Sequence, residues 1–185
     1  TWGRHFLDNA LAAWAVGRAA GIDERTIAKR LSGARLPGRR CHIMQTGELT
    51  LIDDTACRNS LARRASLELL SSLPGSRRVV ICGDAGEEDH STQWGNELIE
   101  VGGADIVIAT GKSCEAILCS AISAGMPAAH CHRWSTIAGA AEEILEILTP
   151  SDNVLLTGVD AQLPQRVLAL FQNTVSANTA TAAAA

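Results

Sequence analysis

Long apolar runs and an excess of positive charge are both missing from this sequence of 185 residues. No apolar run approaches the roughly 18–20 residues that a membrane-spanning helix needs, which argues against a membrane protein. Lys and Arg number 16 against 20 Asp and Glu, and this balance argues against a protein that mainly binds nucleic acid. Residues 1–5 lack the basic and apolar segments of a signal peptide. We therefore expect a soluble, cytoplasmic protein with no nucleic-acid or membrane partner.

The six cysteines lack the spacing of a disulfide framework, because no CxxC pair occurs. With 46% apolar residues the chain can bury a core without covalent crosslinks, so we expect reduced cysteines in the core. The alternative is a zinc site made by His130, Cys131 and His132 with Cys114 or Cys119. In an extended segment, however, the two histidines point to one side and Cys131 to the other. We therefore predict no metal site.

Two helices, at residues 9–20 and 24–32, are predicted before a change of pattern at Leu36–Arg39, where a domain boundary is expected. Beyond it, short apolar strands alternate with helices. Strands are predicted at 41–45, 49–53, 77–82, 105–109, 128–131 and 153–156, and helices at 60–73, 91–101, 113–124, 135–148 and 161–171. Short strands that are almost wholly apolar are typical of a parallel sheet covered on both faces. The sequence thus predicts an α/β fold with a doubly wound, mostly parallel Rossmann-like sheet.

Two turns after predicted strands are candidate binding sites. Gly83–His90 contains four carboxylates, which could bind a hydrated cation or an ammonium group, or could form a solvated acidic loop that caps the next helix. Thr110–Ser113 ends like a P-loop, but Ile106 stands where the first glycine of that motif is required. We therefore interpret Thr110–Ser113 as an ordinary turn between a strand and a helix.

Two adjacent acids and two adjacent arginines are further candidates. Asp53 and Asp54 end a strand, and because neighbours on a strand point to opposite faces we do not expect them to form an acid/base pair. One of them suits a ribose hydroxyl or a helix cap. Arg39 and Arg40 follow a Pro-Gly turn, where a fixed guanidinium suits a phosphate, although surface charge alone is the simpler interpretation. No arrangement for nucleophilic catalysis has supporting context.

Five short motifs follow one another along the chain, namely His5–Ala13, Leu36–Arg39, Leu51–Thr55 with Asn59, Val80–Asp84 and Asp152–Gly158. In this order they resemble the Mur ligase family, whose segments read HNxxNALAA, PGR, IDDSYNANP, VLGDM and DxVLxKGSR. The likeness extends over residues 3–171. It is nearest to the branch of the family that adds D-alanyl-D-alanine.

The resemblance implies the carboxyl-terminal part of an ATP-dependent amide ligase of peptidoglycan synthesis. Such a ligase phosphorylates the carboxylate of a UDP-N-acetylmuramoyl peptide, and an amino acid or dipeptide then attacks the acyl phosphate. The resemblance places Asn9 near the adenine, Arg39 near the ATP phosphates and Asp54 near the ribose. It directs Asn59 and Asp84 toward the incoming amino component, and it assigns no catalytic residue to this part of the enzyme.

The resemblance also divides the chain. Residues 1–36 are expected to be a helical remnant of the ATP-binding central domain, 37–172 the Rossmann-like domain and 173–185 a low-complexity tail outside the core. The P-loop, the magnesium ligands and the carbamylated lysine of such ligases have no counterpart here. We therefore expect the complete enzyme to use ATP and Mg²⁺, and this part to be inactive alone and to require no cofactor. Its expected partners are the missing amino-terminal and central domains, or a second copy through residues 1–36.

Several motif positions depart from the family pattern. Ala56–Ser60 replaces Tyr-Asn-Ala-Asn-Pro, Ala85 replaces the methionine after Gly-Asp, and Thr157–Asp160 replaces Lys-Gly-Ser-Arg. Phe6 also stands where the family has an asparagine. The residues expected to face ATP match better than those expected to face the amine. This pattern indicates either a different amine substrate or a non-catalytic relative that binds a nucleotide or a protein.

Overall fold

Strands and helices alternate in the computed structural model, which describes residues 6–34, 38–57, 59–75, 77–84, 91–134 and 140–183. The strands are β1 (His42–Thr46), β2 (Leu49–Asp54), β3 (Arg77–Cys82), β4 (Ile106–Thr110), β5 (Cys131–Trp134) and β6 (Asp152–Thr157). The helices are α1 (Leu7–Ala19), α2 (Glu24–Ser32), α3 (Ser60–Ser72), α4 (Ser91–Glu100), α5 (Cys114–Ser123), α6 (Ala140–Ile147) and α7 (Leu163–Ala183). No helix of the described residues is both long and apolar enough to cross a membrane.

The six strands form one sheet in the order β1-β2-β6-β3-β4-β5. β1 is antiparallel to β2, to which it is joined by a tight turn at Gly47 and Glu48. All other neighbouring strands of the sheet are parallel. The predicted α/β fold, with a mostly parallel Rossmann-like sheet after two helices, is therefore confirmed.

Helices cover both faces of the sheet because alternate side chains of each strand point to opposite sides. Ile52 and Leu155 belong to the cluster that packs against α3, α4 and α5. Their neighbours Leu51 and Leu156 belong to the cluster that packs against α6 and α7. All four side chains are completely buried. Each strand therefore contributes to two separate cores, which explains the nearly continuous apolar runs in the sequence.

α1 and α2 form a hairpin that touches the rest of the chain at few points. Asp23 caps α2, since its carboxylate accepts a hydrogen bond from the Thr26 backbone N–H at 3.0 Å. Ile27 is buried against Gly17 of α1, where a Cβ atom would stand only 2.9 Å from Ile27 Cδ1. Phe6, just before α1, enters the core beneath α3, α4 and α5. α1 itself buries none of its side chains.

Two predicted segments differ from the structure, and a third is described only in part. The strand predicted at 128–131 is a turn of 3₁₀-helix at Ala128–His130, and β5 follows it. The last helix continues to Ala183 instead of ending at residue 171, which is consistent with the high helix propensity of its alanine-rich end. The helix predicted at 135–148 is described over Ala140–Ile147, and residues 135–139 lie outside the described part.

Candidate functional site

A cavity of about 360 Å³ lies where the first turn of α1 meets the end of β2 and the start of α3. Its polar lining is formed by Asn9, Arg40, Asp54 and Asn59. Its apolar lining is formed by Phe6, Cys41, Cys57, Leu61, Ala62 and Ala65. The structure thus brings together three of the five predicted site residues, Asn9, Asp54 and Asn59. A cavity of this size is typical of small-molecule sites.

Asp54 is the buried carboxylate of this cavity, with 3% of its surface exposed. Its Oδ1 accepts hydrogen bonds from the Cys41 backbone N–H at 3.1 Å and from the Cys41 thiol at 3.7 Å. Oδ2 accepts none from the described residues, and the nearby Ser66 hydroxyl donates to the Arg63 carbonyl instead. Burial raises the pKa of Asp54, and contacts with Ser66, Cys41 and Cys57 offset part of that rise. Oδ2 is thus a buried acceptor without a donor among the described residues, as is Oδ2 of Asp53.

Two thiols beside Asp54 act as neutral groups. Cys41 is 6% exposed and Cys57 is 2% exposed. Burial, reinforced by the charge of Asp54, raises the pKa of the Cys41 thiol and raises that of Cys57 to about 11. Because the thiolate is the nucleophilic form, these cysteines offer hydrogen-bond donors and apolar surface at neutral pH, not nucleophiles.

The start of α3 forms another wall of the cavity. Asn59 caps this helix, since its Oδ1 accepts a hydrogen bond from the Ala62 backbone N–H at 2.8 Å. Leu61 lies beside it with 81% of its surface exposed. The wall therefore combines an apolar side chain with the positive end of a helix dipole.

The turn from the hairpin into β1 has an unusual backbone. Arg39 and Cys41 have φ angles of 66° and 47°, in the left-handed region that residues other than glycine seldom adopt. Both are held by the end of β2, because the Arg39 carbonyl accepts from the Ala56 N–H at 3.0 Å and Cys41 donates to Asp54. Arg39 does not line the cavity, whereas Arg40 does. The predicted contact of Arg39 with ATP phosphates stays a prediction.

Asp53 and Asp54 have separate partners, as predicted. Asp53 Oδ1 accepts hydrogen bonds from the Thr55 backbone N–H at 3.1 Å and from the Thr55 hydroxyl at 2.7 Å. Asp54 instead binds Cys41 on the cavity side. The prediction that the two acids do not form an acid/base pair is confirmed, and Asp53 acts as the cap of the turn that ends β2.

Asp84 lies after β3, outside the lining of the cavity. Its Oδ1 accepts a hydrogen bond from the Ser113 backbone N–H at 3.0 Å, which ties the end of β3 to the start of α5. A Cβ atom at Gly111 would stand 2.4 Å from that oxygen, so the contact depends on glycine there. The predicted role of Asp84 toward the amino component stays a prediction. Residues 85–90 of the predicted acidic turn lie outside the described part.

The turn at Thr110–Ser113 is the ordinary strand-to-helix connection that was predicted. The backbone N–H of Ser113, which a phosphate would need, already binds the Asp84 carboxylate. A second anion would be repelled by that carboxylate, so this turn offers no phosphate site.

Arg63 is a buried cation that no motif in the sequence indicates. It is 3% exposed, its guanidinium carbon lies 5.4 Å from the centre of the Trp94 ring, and its Nη2 donates to the Asp84 carbonyl at 2.8 Å. An arginine within a helix normally faces solvent, and no local pattern distinguishes this one from its exposed neighbour Arg64. The side chain links α3 to the turn after β3.

All six cysteines are free thiols, as predicted. Four of them are buried, namely Cys41, Cys57, Cys82 and Cys114. The expected core position is wrong for Cys119, which is exposed on α5. Among the described residues, no three His, Cys, Asp or Glu side chains are grouped to hold a metal ion.

The model of the Mur ligase, glutamate ligase domain matches residues 39–159, which include β1 to β6. The chain belongs to the Mur ligase family. This Mur ligase chain is 33% identical over 121 residues to the UDP-N-acetylmuramoyl-tripeptide–D-alanyl-D-alanine ligase of Escherichia coli (strain K12), covering 62% of this chain and 26% of that protein. It is 29% identical over 160 residues to the UDP-N-acetylmuramoylalanine–D-glutamate ligase of Streptococcus equi subsp. zooepidemicus (strain MGCS10565), covering 86% and 33%.

Solved structures show the same relationship. MurF from Acinetobacter baumannii superimposes with a TM-score of 0.73 at 25% identity, covering 92% of this Mur ligase chain and 38% of MurF. The chain thus spans about a third of the length of such relatives. The predicted resemblance to the Mur ligase family is confirmed, and these relatives include a D-alanyl-D-alanine-adding ligase.

Proposed function

We propose that this chain is the carboxyl-terminal part of a cytoplasmic, ATP-dependent amide ligase of peptidoglycan precursor synthesis. The complete enzyme would join an amino acid or dipeptide to a UDP-N-acetylmuramoyl peptide through an acyl phosphate, with ATP and Mg²⁺. The chain alone would bind the nucleotide without performing the reaction. The P-loop and the magnesium ligands would come from the missing amino-terminal and central domains.

The cavity around Asp54 is the observation that carries this proposal. Asp54 Oδ2 lacks a donor from the described residues, and a ribose hydroxyl would supply one. Asn9, which also lines the cavity, has a side-chain amide that can both donate to and accept from the edge of an adenine. Phe6 and Leu61 add apolar surface for the rings of the nucleotide. Arg39 would reach the phosphates when the missing domains are present.

The incoming amino component would approach from Asn59 and the turn after β3. Asn59 is exposed beside the cavity, after the end of β2. Asp84 follows β3, which is separated from β2 in the sheet by β6. The complete site would therefore extend from the hairpin across the carboxyl ends of β2, β6 and β3, the edge at which parallel α/β sheets bind ligands.

A non-catalytic module that binds a nucleotide or a protein is the second candidate, and the end of β6 favours it. Where family members have Lys-Gly-Ser-Arg, Val159 is buried in the core and the Asp160 carboxylate accepts a hydrogen bond from the Gln162 N–H at 2.8 Å. Residues 157–160 therefore offer no cation to a phosphorylated intermediate.

Nucleotide binding to the 185-residue chain tests the cavity. We expect ADP to bind by titration calorimetry, and Asp54→Asn to weaken it about 10-fold, because an amide is a poorer acceptor than a carboxylate. Asp53→Asn is the matched control, since it changes the adjacent buried acid that binds Thr55. Equal ADP affinity in wild type and Asp54→Asn, with both folded by circular dichroism, would contradict the proposed site.

The gene sequence upstream of Thr1 separates the two candidates. A P-loop in the same reading frame, together with ATP-dependent ligation by the longer product, would support the ligase. An initiation codon next to Thr1 would leave the binding module.

A further inference from the structure

We propose that Cys119 and Cys131 form a reversible redox pair, at which an oxidant of the low-molecular-weight disulfide class closes a bond between α5 and β5. The two cysteines lie on neighbouring elements at the β5 edge of the sheet. The cavity lies at the end of β2, near the opposite edge. The cysteine pair is therefore independent of the proposed nucleotide site.

An ion pair between α5 and β5 shows how the helix lies along the strand. Arg133 Nη1 of β5 lies 3.7 Å from Glu115 Oε2 of α5. Because β4 and β5 are parallel and α5 connects them, α5 runs in the opposite direction to β5. The two charged side chains are 63% and 76% exposed, so the ion pair adds little energy, but it identifies two residues that face each other.

Cys119 and Cys131 are the next pair along the same two elements. Cys119 comes four residues after Glu115, on the same side of the helix and about 6 Å further along its axis. Cys131 comes two residues before Arg133, on the same face of the strand and about 6.6 Å away. Because the two elements run in opposite directions, these nearly equal steps lead to the same level. The geometry therefore places the two thiols beside each other.

The surroundings of the two thiols support this placement. Cys119 is exposed, whereas Cys131 is partly buried against the core cluster to which α5 contributes. Burial raises the pKa of the Cys131 thiol, and the charge of Cys119 raises that pKa further, as expected for neighbouring thiols. Among the described residues, no third His, Cys, Asp or Glu side chain completes a metal site with them. The pair is thus suited to a disulfide and not to a metal ion.

The connection between α5 and β5 is ordered by its own backbone hydrogen bonds. At the end of α5 the Met126 N–H donates to the Ala121 carbonyl at 3.0 Å. In the 3₁₀ turn before β5 the His130 N–H donates to the Pro127 carbonyl at 2.9 Å. The two cysteines are therefore held near each other before oxidation, and the second thiol reacts as an intramolecular group.

Thiol–disulfide exchange with oxidised glutathione would form the bond in two steps. The Cys119 thiol loses its proton, and its thiolate attacks one glutathione sulfur, which gives a mixed disulfide and releases one glutathione thiolate. The Cys131 thiolate then attacks the Cys119 sulfur, which gives the intramolecular disulfide and releases the second glutathione thiolate. The two cysteines thus lose two protons and two electrons, and the oxidised glutathione is reduced to two thiols.

Oxidised glutathione applied to the intact 185-residue chain tests the pair. We expect the chain to lose two of its six alkylatable thiols, measured after unfolding, and to yield a peptide in which Cys119 is linked to Cys131 in mass spectrometry. Excess reduced glutathione should restore both thiols. Cys131→Ser should instead retain glutathione on Cys119, because the second step then lacks its nucleophile.

A relocated thiol is the matched control. Cys119→Ser combined with Ala116→Cys keeps one exposed thiol on α5, and both changes are at exposed positions. Position 116 lies one turn before Ser120, which faces α4 because its hydroxyl donates to Asn96 Oδ1 at 2.9 Å. This variant should carry glutathione at position 116 and form no link to Cys131.

Three outcomes would overturn the proposal. They are glutathione that persists on Cys119 of the wild-type chain, a disulfide between two chains in place of the internal one, and an equally efficient link to Cys131 from the relocated thiol. None of them bears on the affinity for ADP, which tests the proposed function separately.

Discussion

The α1–α2 hairpin and the α/β body are built on different principles, although one chain forms both. The body encloses two cores, in which side chains such as Leu155 and Leu156 are fully buried. The hairpin buries Ile27 and leaves Leu11 and Val16 at 57% and 70% exposure. Half of the 16 Lys and Arg residues lie within the first 40 positions.

This difference shows that the body has its own hydrophobic core and that the hairpin does not. A helix normally buries an apolar stripe, and α1 has no core of its own on which to do so. The hairpin is held by Phe6 at one end and by the strained turn at Arg39–Cys41 at the other. The cavity lies along the boundary between the hairpin and the body, which we call the seam. A ligand there would add contacts between two parts of the molecule that otherwise share few.

The largest expected effect is in the body. Leu155→Ala removes a fully buried side chain from the central part of the sheet, and we expect it to lower the free energy of unfolding by about 2–5 kcal/mol. Leu11→Ala is the matched control in the hairpin, where the side chain is exposed, and should change stability by less than about 0.5 kcal/mol. Urea denaturation followed by circular dichroism measures both. Similar losses for the two variants would refute the distinction between body and hairpin.

A smaller, local effect is expected from Ile27→Ala. This change removes the contact of α2 with Gly17, and we expect the hairpin amides to lose about 1–2 kcal/mol of protection while those of β6 keep theirs. Native-state hydrogen exchange resolves the two regions. Equal loss of protection in β6 would mean that the hairpin and the body unfold as one unit, which would contradict their separate stabilisation.

The smallest effect concerns the seam and depends on pH. Because the pKa of Asp54 is raised above its ordinary value of 3.8, the neutral carboxyl favours the folded state, and this stability is lost as the pH rises through the folded-state pKa. Asp54→Asn should therefore gain stability relative to wild type as the pH increases from acid to neutral. Melting temperatures across that range, compared with those of Asp53→Asn, test this. A difference between Asp54→Asn and wild type that does not change with pH would contradict the raised pKa.

Most of the fold could be predicted because strands buried on both faces leave an unambiguous apolar run. The strand Arg77–Cys82 agrees with the prediction at both ends. The prediction for β5 begins three residues too early, because Ala128 and Ala129 have no strong preference for strand or helix. The 3₁₀ turn at these residues depends on contacts in the folded chain.

The site was less accessible to sequence reasoning. Adjacent acids at a strand end indicated a ligand or a cap, but only the family resemblance related Asn9 to Asp54, which lie on separate elements. Arg63 gave no signal, because its burial depends on the Trp94 ring, which a distant helix supplies. Arg40 lines the cavity and Arg39 does not. This difference depends on the backbone conformation of the turn, which a sequence of two identical neighbours does not reveal.

The buried thiols of this molecule can report which of its parts unfold first. Cys119 is open to an alkylating reagent at all times. Cys41 and Cys57 lie at the seam, whereas Cys82 and Cys114 lie within the body, where burial raises the pKa of Cys82 to about 12. Since alkylation needs an accessible thiolate, each shielded cysteine is modified only as fast as its surroundings open. The order in which the cysteines are alkylated, followed by mass spectrometry, would therefore give the order in which the seam and the body unfold.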